Sequence, residues 1–179
     1  MHVSVHHSTT PQPGLDAAEA CSYRPILNLS VISKMLERLV ATRLLAYLDE
    51  TGLMLSMQSA YRRNHSTETA VLKVLSDILL ALDRGDFAAL ALLDLSTAFD
   101  TIDHDTLIHR LLVSYGLHGL ALKWFRSYLQ GRVQHVRFAA TKSSVSTVLF
   151  GVPQGSVLGP ILFLLYTADL FHLVNSHGL

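Results

Sequence analysis

The feature that most constrains the fold is a short apolar run that ends on an acid. Residues 87–93 read FAALALL, and Asp94 follows them directly. A continuous apolar run of this length, preceded by the turn sequence at 84–86, predicts a strand that is buried on both faces. A carboxylate at the end of such a strand needs donors, a cation or water, because an unpaired charge is costly to bury. Phosphoryl-transfer sites place carboxylates in this way to hold Mg²⁺, so Asp94 is a candidate metal ligand.

The acids around this point have a second interpretation. Asp94 equally fits a residue that caps the following turn through backbone N–H groups. Behind it stand Asp100, Asp103, His104, Asp105 and His109. Acids in a first helical turn stabilise the helix through its dipole. We therefore interpret this second cluster as structural, with a metal site as the alternative.

Composition indicates a packed protein with no overall charge. Half of the 179 residues are hydrophobic and 16% are charged, which predicts a folded core. Lys plus Arg equals Asp plus Glu, at 14 each, so any site for a polyanion must come from local clustering. The single cysteine, Cys21, excludes an intramolecular disulfide and a multi-cysteine zinc site.

These features also predict a location inside the cell. One cysteine fits a reducing compartment, and the first ten residues lack the pattern of a signal peptide. The most apolar segment, 157–168, is too short to cross a bilayer, so we expect no membrane contact. The predicted location is the nucleus or the cytoplasm, and the protein is not expected to be secreted.

Hydrophobic periodicity predicts an α+β fold. The pattern predicts a loose tail over 1–22 and helices from Ser30 to Gly52, from Ser66 to Leu82, from Asp105 or Thr106 to before Gly116, over 119–130 and over 156–174. The apolar stripe of the second helix is formed by Val71, Leu72, Leu75, Ile78, Leu79 and Leu82. Besides 87–93, strands are predicted at 133–138 and 145–150, joined by a turn near 141–144. Helices and strands mix without strict alternation, which favours α+β over a doubly wound sheet.

Four motifs resemble, in order, those of reverse transcriptases of non-LTR (LINE-type) retrotransposons. They are YRPILNLSVISKMLERLVATRLLAYL and QSAYRRNHSTETA in the family's fingers region, LLDLSTAFDTIDHD around its first catalytic aspartate, and GVPQGSVLGPILFLLYTADL as the next polymerase motif. The resemblance covers about residues 23–169. It implies a partial right-hand polymerase fold, with fingers at about 23–85 and the first part of the palm at about 86–179.

The resemblance also implies roles for three palm residues. Asp94 matches the catalytic, metal-binding aspartate, and Leu95 would offer a backbone carbonyl to the second Mg²⁺. Phe99 matches the bulky residue beneath the sugar of the incoming nucleotide, where a ring leaves no room for a 2′-hydroxyl. The local sequence alone favours a core aromatic at Phe99.

Four further residues match nucleotide-binding positions of the family. Gln154 and Gly155 match the turn that lies against the nucleotide and template, and glycine there lets backbone approach a ligand closely. Arg62 matches the fingers arginine that meets the triphosphate, with Arg63 beside it as a second cation. The alternatives are an ordinary Pro-Gln-Gly turn and a solvated pair of arginines.

The sequence departs from the family pattern in several places. Ala60, Thr97 and Ala168 replace a usual glycine, lysine and asparagine, and Ala60 puts the backbone at Arg62 in doubt. The family's next motif, Tyr-Ala-Asp-Asp, supplies the remaining catalytic carboxylates, but here the sequence reads LFHLVNSHGL. Asp169 does not replace them, because it matches a helix-end position of the preceding motif.

We therefore expect a fragment of an RNA-directed DNA polymerase that is truncated before that motif. Two-metal transfer needs carboxylates on both ions, about 4 Å apart, so Mg²⁺ binding is expected to be weak or absent and polymerisation lost. The partners implied for the parent enzyme are an RNA template, a DNA primer and deoxynucleotides. One alternative is a non-catalytic module, derived from a retrotransposon, that binds nucleic acid or protein, which for nucleic acid would need a coherent basic face. Another is a small-molecule binder that uses the turn at 151–155.

Overall fold

The structure is a computed structural model that describes residues 4–11, 23–27, 29–54, 58–92, 95, 98–138, 141–153 and 155–177. Its elements are β1 (Ser4–Pro11), β2 (Tyr23–Leu27), α1 (Val31–Glu50), α2 (Thr67–Asp83), α3 (His104–Val113), α4 (Gly119–Leu129), β3 (Val133–Phe138), β4 (Thr141–Lys142), β5 (Ser146–Thr147), α5 (Leu158–Thr167) and α6 (Asp169–Ser176). This mixture of helices with a few short strands is consistent with the predicted α+β class.

Three helices begin at side-chain caps. The Ser30 hydroxyl accepts a hydrogen bond from the Ser33 N–H at 3.1 Å, and Ser66 forms a capping box with Thr69. Asp103 accepts from the Thr106 N–H at 2.7 Å, so α3 starts slightly earlier than the sequence predicts. Such caps satisfy backbone donors that a helix leaves unpaired at its first turn.

Five strands form one sheet in which β1 lies between β2 and β3. β1 is antiparallel to β2 and parallel to β3, and its register pairs Ser4 with Val133. The sequence predicts a loose tail over 1–22, whereas the structure has a strand over Ser4–Pro11. Two neighbouring strands supply backbone partners to β1, a long-range effect that local composition does not reveal.

The second predicted hairpin strand, 145–150, is only partly formed. β5 covers Ser146–Thr147 and pairs with one end of β3 at Val133 and Gln134. β4, within the predicted turn, pairs with the other end of β3 at Arg137 and Phe138. Two short strands therefore share the edge that one longer strand was expected to fill.

The predicted buried strand at 87–93 is wrong for the residues described. Residues 87–92 have no regular secondary structure, and Phe87 is fully exposed. No strand in the described part of the chain pairs with them. A strand needs such a partner to satisfy its backbone and to cover its side chains.

The chain divides into two compact units, one of residues 1–53 and 97–179 and one of residues 54–96. In the first, which we call the main unit, α3 packs against α4 and α5, and α1 packs against α5. Its fully buried apolar side chains are Leu48, Ile102, Leu107, Leu111, Leu129, Leu158 and Leu162. In the 54–96 unit, α2 forms where the sequence predicts it, but none of its residues is buried, including the predicted apolar stripe.

The single helix predicted over 156–174 is interrupted at Ala168, between α5 and α6. Arg110 of α3 lies over the Tyr166 ring and pairs with the Asp169 carboxylate at 2.7 Å, which ties the junction to the core. Together the two helices span Leu158–Ser176, 19 residues that are long and apolar enough to cross a membrane, so the segment is longer than the sequence indicates. Core helices of globular proteins meet the same criteria, and α5 buries five of its residues, so this is weak evidence for a span.

Candidate functional site

Two of the predicted site residues, Asp94 and Gln154, lie outside the described residues. The other predicted site residues fall in both compact units. Arg62, Arg63 and Leu95 belong to the 54–96 unit, and Phe99 and Gly155 belong to the main unit.

In the main unit, the segment after Asp94 is joined to the segment of the second polymerase motif. The Val152 N–H donates to the Phe99 carbonyl at 2.8 Å, and the Gly151 N–H donates to the Ile102 carbonyl at 2.7 Å. A β-bridge between Asp103 and Phe150 extends this pairing. Two motifs about 50 residues apart in the sequence therefore form one backbone unit.

Gly151 is the residue that allows this close approach. Its φ is +84°, and a Cβ atom there would lie 2.8 Å from the Phe99 carbonyl oxygen and 2.9 Å from the Asp100 Cα. Both neighbours are backbone atoms that have no rotamer by which to move away. Glycine is therefore required at 151 by conformation and by space.

His104 contacts the same glycine through its backbone carbonyl. The imidazole is buried, and its Nε2 lies 2.8 Å from the Gly151 carbonyl oxygen. A carbonyl only accepts, so Nε2 carries the proton in this contact. The sequence placed His104 among possible metal ligands, but its observed contact is with the turn.

Phe99 is partly buried, and its ring packs edge-on against Phe163 of α5, with ring centroids 5.5 Å apart. This contact fits the alternative interpretation of Phe99 as a packing residue. The ring remains partly accessible, so packing and contact with a ligand are compatible at this position.

The turn itself closes between Pro153 and Ser156. The Ser156 N–H donates to the Pro153 carbonyl at 3.1 Å, and the buried Ser156 hydroxyl accepts from the Gly159 N–H at 2.8 Å. Gly155 is exposed with φ +77°, and a Cβ atom there would meet no described atom within 4 Å. Its backbone conformation, not crowding, favours glycine at 155.

Glu37 is a residue near this turn that the sequence analysis did not identify. It lies in the middle of α1 and is only 1% exposed. One carboxylate oxygen accepts from the Val157 N–H at 2.7 Å, and the other accepts from the Tyr128 hydroxyl at 3.2 Å. No local signal marks it, because only the structure shows that α1 buries the face that carries Ser33, Glu37 and Ala41.

Tyr128 and Arg132 complete a buried polar cluster with Glu37. Burial raises the pKa of the Tyr128 hydroxyl far above its usual range, and the negative charge of Glu37 adds to this rise. Burial lowers the pKa of the Arg132 guanidinium, while Tyr128 and Glu37 counteract the fall. The Tyr128 hydroxyl therefore stays protonated and serves as a donor to Glu37 over the ordinary pH range.

In the 54–96 unit, Arg63 is exposed and Arg62 is partly exposed. The Arg62 carbonyl accepts from the His65 N–H at 3.2 Å, and the flanking residues Tyr61 and Asn64 have φ angles of +57° and +63°. Leu95 is half exposed. The predicted triphosphate contact of the two arginines remains a prediction.

The acids of the second cluster have structural contacts. Asp103 caps α3, and hydrogen bonds from the Thr106 side chain and backbone lower its pKa. Asp105 lies in the first turn of α3 and accepts from Gln130 at 3.4 Å. Among the residues that the structure describes, no group of three His, Cys, Asp or Glu side chains could hold a metal ion. The predicted ligand Asp94 is outside that set.

Residues 11–178 match the family model of reverse transcriptase (RNA-dependent DNA polymerase). The chain belongs to the reverse transcriptase family. This match covers both segments that meet at Gly151 and the whole of α1 to α5.

The reverse transcriptase segment has several relatives among the proteins of Drosophila retrotransposons. It is 38% identical over 159 residues to a probable RNA-directed DNA polymerase from transposon X-element of Drosophila melanogaster. It is 35% identical over 161 residues to the RNA-directed DNA polymerase from mobile element jockey of Drosophila funebris. Each alignment covers 89% of this chain and 17% of the relative, so the chain spans about a sixth of the length of these relatives. The predicted assignment to a LINE-type reverse transcriptase domain is confirmed.

Proposed function

We propose that this chain forms the fingers and the first part of the palm of a polymerase that copies RNA into DNA. In that reaction a primer 3′-hydroxyl attacks the α-phosphate of a deoxynucleotide. The observation that carries the proposal is the joining of the two polymerase motifs through Phe99, Ile102 and Gly151. The proposed partners are an RNA template, a DNA primer and deoxynucleotides. The proposed location of the reaction is the nucleus or the cytoplasm.

In this proposal Asp94 binds metal. A carboxylate is the ligand type that Mg²⁺ prefers, and Leu95 would add a backbone carbonyl. The bound ion would neutralise charge that develops on the phosphates. One carboxylate is too few to fix two ions about 4 Å apart, so the 179 residues need further carboxylates from outside this sequence to extend a primer.

Phe99 selects the sugar in this proposal. Its ring is held edge-on by Phe163, and its carbonyl is held by Val152, so it presents a fixed surface. A fixed ring beneath the sugar would exclude a 2′-hydroxyl by steric overlap. Gln154 and Gly155 would lie against the nucleotide and template, and Arg62 and Arg63 would meet the triphosphate.

The metal role of Asp94 is tested by primer extension in a polymerase that contains these 179 residues together with the rest of its catalytic domain. We expect Asp94→Ala to abolish extension, because the metal would lose its palm ligand. Asp105→Ala is the matched control, since it removes a carboxylate eleven positions further along the sequence that has no metal role in this proposal, and it should extend normally. Extension by Asp94→Ala within about tenfold of wild type would contradict the assignment.

The sugar-selecting role of Phe99 has a separate test in the same polymerase. Phe99→Ala should accept ribonucleotides more readily relative to deoxynucleotides, because the excluded volume beneath the sugar is removed. Phe163→Ala breaks the same ring contact while leaving Phe99 in place, so it controls for packing. Equal discrimination in wild type and Phe99→Ala would refute the proposed role, and equal changes in both variants would assign the effect to packing.

A further inference from the structure

The buried carboxylate of Glu37 has no role in the proposed reaction, although its burial is costly. An acid that is 1% exposed loses nearly all contact with water. Burial of a charged group is favourable only where hydrogen bonds and charges inside the protein replace its hydration. The position of the replacing groups therefore indicates what Glu37 does.

The partner at 2.7 Å is the backbone N–H of Val157. Val157 is the N-cap residue of α5, and its own side chain makes no capping hydrogen bond. The first N–H groups of a helix lack intrahelical partners and carry partial positive charge. Glu37 therefore supplies, from α1, the acceptor for the Val157 N–H, next to the Ser156 hydroxyl that accepts from the Gly159 N–H.

The second oxygen of Glu37 is held by Tyr128 of α4, at 3.2 Å. Arg132, which is buried and follows α4, interacts electrostatically with both Tyr128 and Glu37. The carboxylate is thus held through one oxygen by the Tyr128 hydroxyl and through the other by the Val157 N–H. This arrangement leaves it little rotational freedom.

The cap connects Glu37 to the candidate site. Val157 lies two residues after Gly155, and the residue between them, Ser156, closes the turn by donating to Pro153. The other end of the turn is held at Gly151 by His104. The segment proposed to meet the nucleotide is therefore fixed at both ends by buried side chains.

We propose that Glu37 is a positioning residue that holds the turn at 153–155 in place for the incoming nucleotide and template. The proposal rests on the proposed function of that turn. It assigns a role to a residue of α1 that does not itself touch the nucleotide. Weakening the cap would let the turn shift, so the affinity for deoxynucleotide would fall while the reacting groups stay intact.

Glu37→Met and Glu37→Gln form the test, because both keep the length of the side chain. Methionine fills the same space and removes both acceptors, whereas glutamine keeps an amide oxygen for the Val157 N–H. If the role is packing, methionine should serve as well as glutamine. If the role is to hold Val157, glutamine should rescue the function and methionine should not.

Steady-state primer extension, in the polymerase that contains these residues, measures the effect. We expect Glu37→Met to raise the KM for deoxynucleotide about tenfold, with kcat within about threefold of wild type. Glu37→Gln should stay within about threefold on both constants. The matched control is Glu50→Met, an exposed residue of the same helix, which should leave both constants unchanged.

A second variant tests the same hydrogen bond from the α5 side. Val157 has φ −74°, which proline can adopt, so Val157→Pro replaces the N–H by a ring carbon and displaces the Glu37 carboxylate from this contact. We expect the same rise in KM as for Glu37→Met. This variant decides the matter if Glu37→Met does not fold, as judged by its circular dichroism and thermal midpoint.

The outcomes separate this inference from the proposed function. Normal extension by wild type, with unchanged KM in Val157→Pro and in any folded Glu37→Met, would overturn the positioning role alone. Absence of extension in wild type would overturn the proposed function, and the inference would fall with it. A loss of kcat with unchanged KM would also overturn the inference, because it would indicate damage to the reacting groups.

Discussion

Helices α2 and α3 have similar sequence patterns but different surroundings. Both are amphipathic, and both begin at a side-chain cap. α3 buries Leu107, Ile108 and Leu111 against its neighbours, whereas α2, in the 54–96 unit, buries none of its residues. Periodicity and caps therefore determine where a helix forms, whereas its burial depends on a partner surface.

The predicted site residues also differ in how far they are buried or exposed. Phe99 is fixed by a backbone hydrogen bond and a ring contact, and its neighbour Gly151 is crowded on two sides. In the 54–96 unit, Arg63 and Leu95 are exposed. Phe99 is therefore held by packing, whereas Arg63 and Leu95, like Gly155 in the main unit, are exposed.

The largest expected difference in stability loss is between alanine substitutions at a leucine of α3 and at a leucine of α2. Leu111→Ala in α3 removes a fully buried side chain, and we expect it to lower the free energy of unfolding by about 2–5 kcal/mol. Leu82→Ala in α2 removes a side chain that is 55% exposed, so its effect should be about 0.5 kcal/mol or less. Urea denaturation of the 179-residue chain measures both. Equal losses for the two variants would show that α2 is buried in solution.

A smaller difference in stability loss is expected between alanine substitutions at two glycines with nearly equal φ angles. Gly85, after α2, has φ +82° and open space around its Cβ position, whereas Gly151 has φ +84° and backbone atoms within 3 Å. Alanine at either position incurs the left-handed penalty of about 1–2 kcal/mol. At 151 the overlap should add about 1–3 kcal/mol, as in other overpacked sites.

The two variants Gly85→Ala and Gly151→Ala are compared by thermal and urea denaturation. Their shared backbone penalty cancels in the difference, so the excess at 151 measures the close approach of the two motifs. No excess at 151 would contradict the tight junction between Gly151 and Phe99.

The smallest expected effect on the free energy of unfolding comes from removing the side-chain cap of α3. Asp103→Ala should lower the free energy of unfolding by about 1 kcal/mol at neutral pH, because the Thr106 N–H loses its acceptor. The pKa of Asp103 is lowered in the folded chain, so its contribution is present above the unfolded pKa of about 3.9 and is lost as the pH falls toward the folded pKa.

The matched variant is Asp103→Asn, which keeps an acceptor oxygen and does not titrate. Its stability relative to Asp103→Ala should not change with pH, while the difference between wild type and Asp103→Ala should shrink below about pH 4. A pH series of denaturation curves measures this. A constant difference between wild type and Asp103→Ala would show that the carboxylate does not cap α3.

The helices were predictable because their signals are local. Ser30 and Ser66 marked the starts of α1 and α2, and the apolar spacing marked their lengths. The strands were less predictable. Ser4–Pro11 became a strand through pairing with β2 and β3, and residues 87–92 did not, since no strand in the described part of the chain pairs with them. A strand depends on partners that lie far away in the sequence.

The candidate site was predictable in part. The resemblance marked Phe99 and the turn at 153–155, but it gave no role to Glu37, and His104 was interpreted as one of a group of acids and histidines. Both residues act through contacts with segments 47 and 120 positions away. Spacing along the chain carries no information about such contacts.

Local signals in the sequence predicted the family, the positions of most helices and the starts of α1 and α2, because motifs and hydrogen bonds within one turn of chain are local properties. They did not predict that Asp103 caps α3 or that α5 and α6 are separate helices. The tertiary structure decided which apolar faces are buried, that Gly151 must approach Phe99, and that a buried acid of α1 caps α5. The physical reason is that burial, crowding and the neutralisation of a buried charge depend on which segments meet in space.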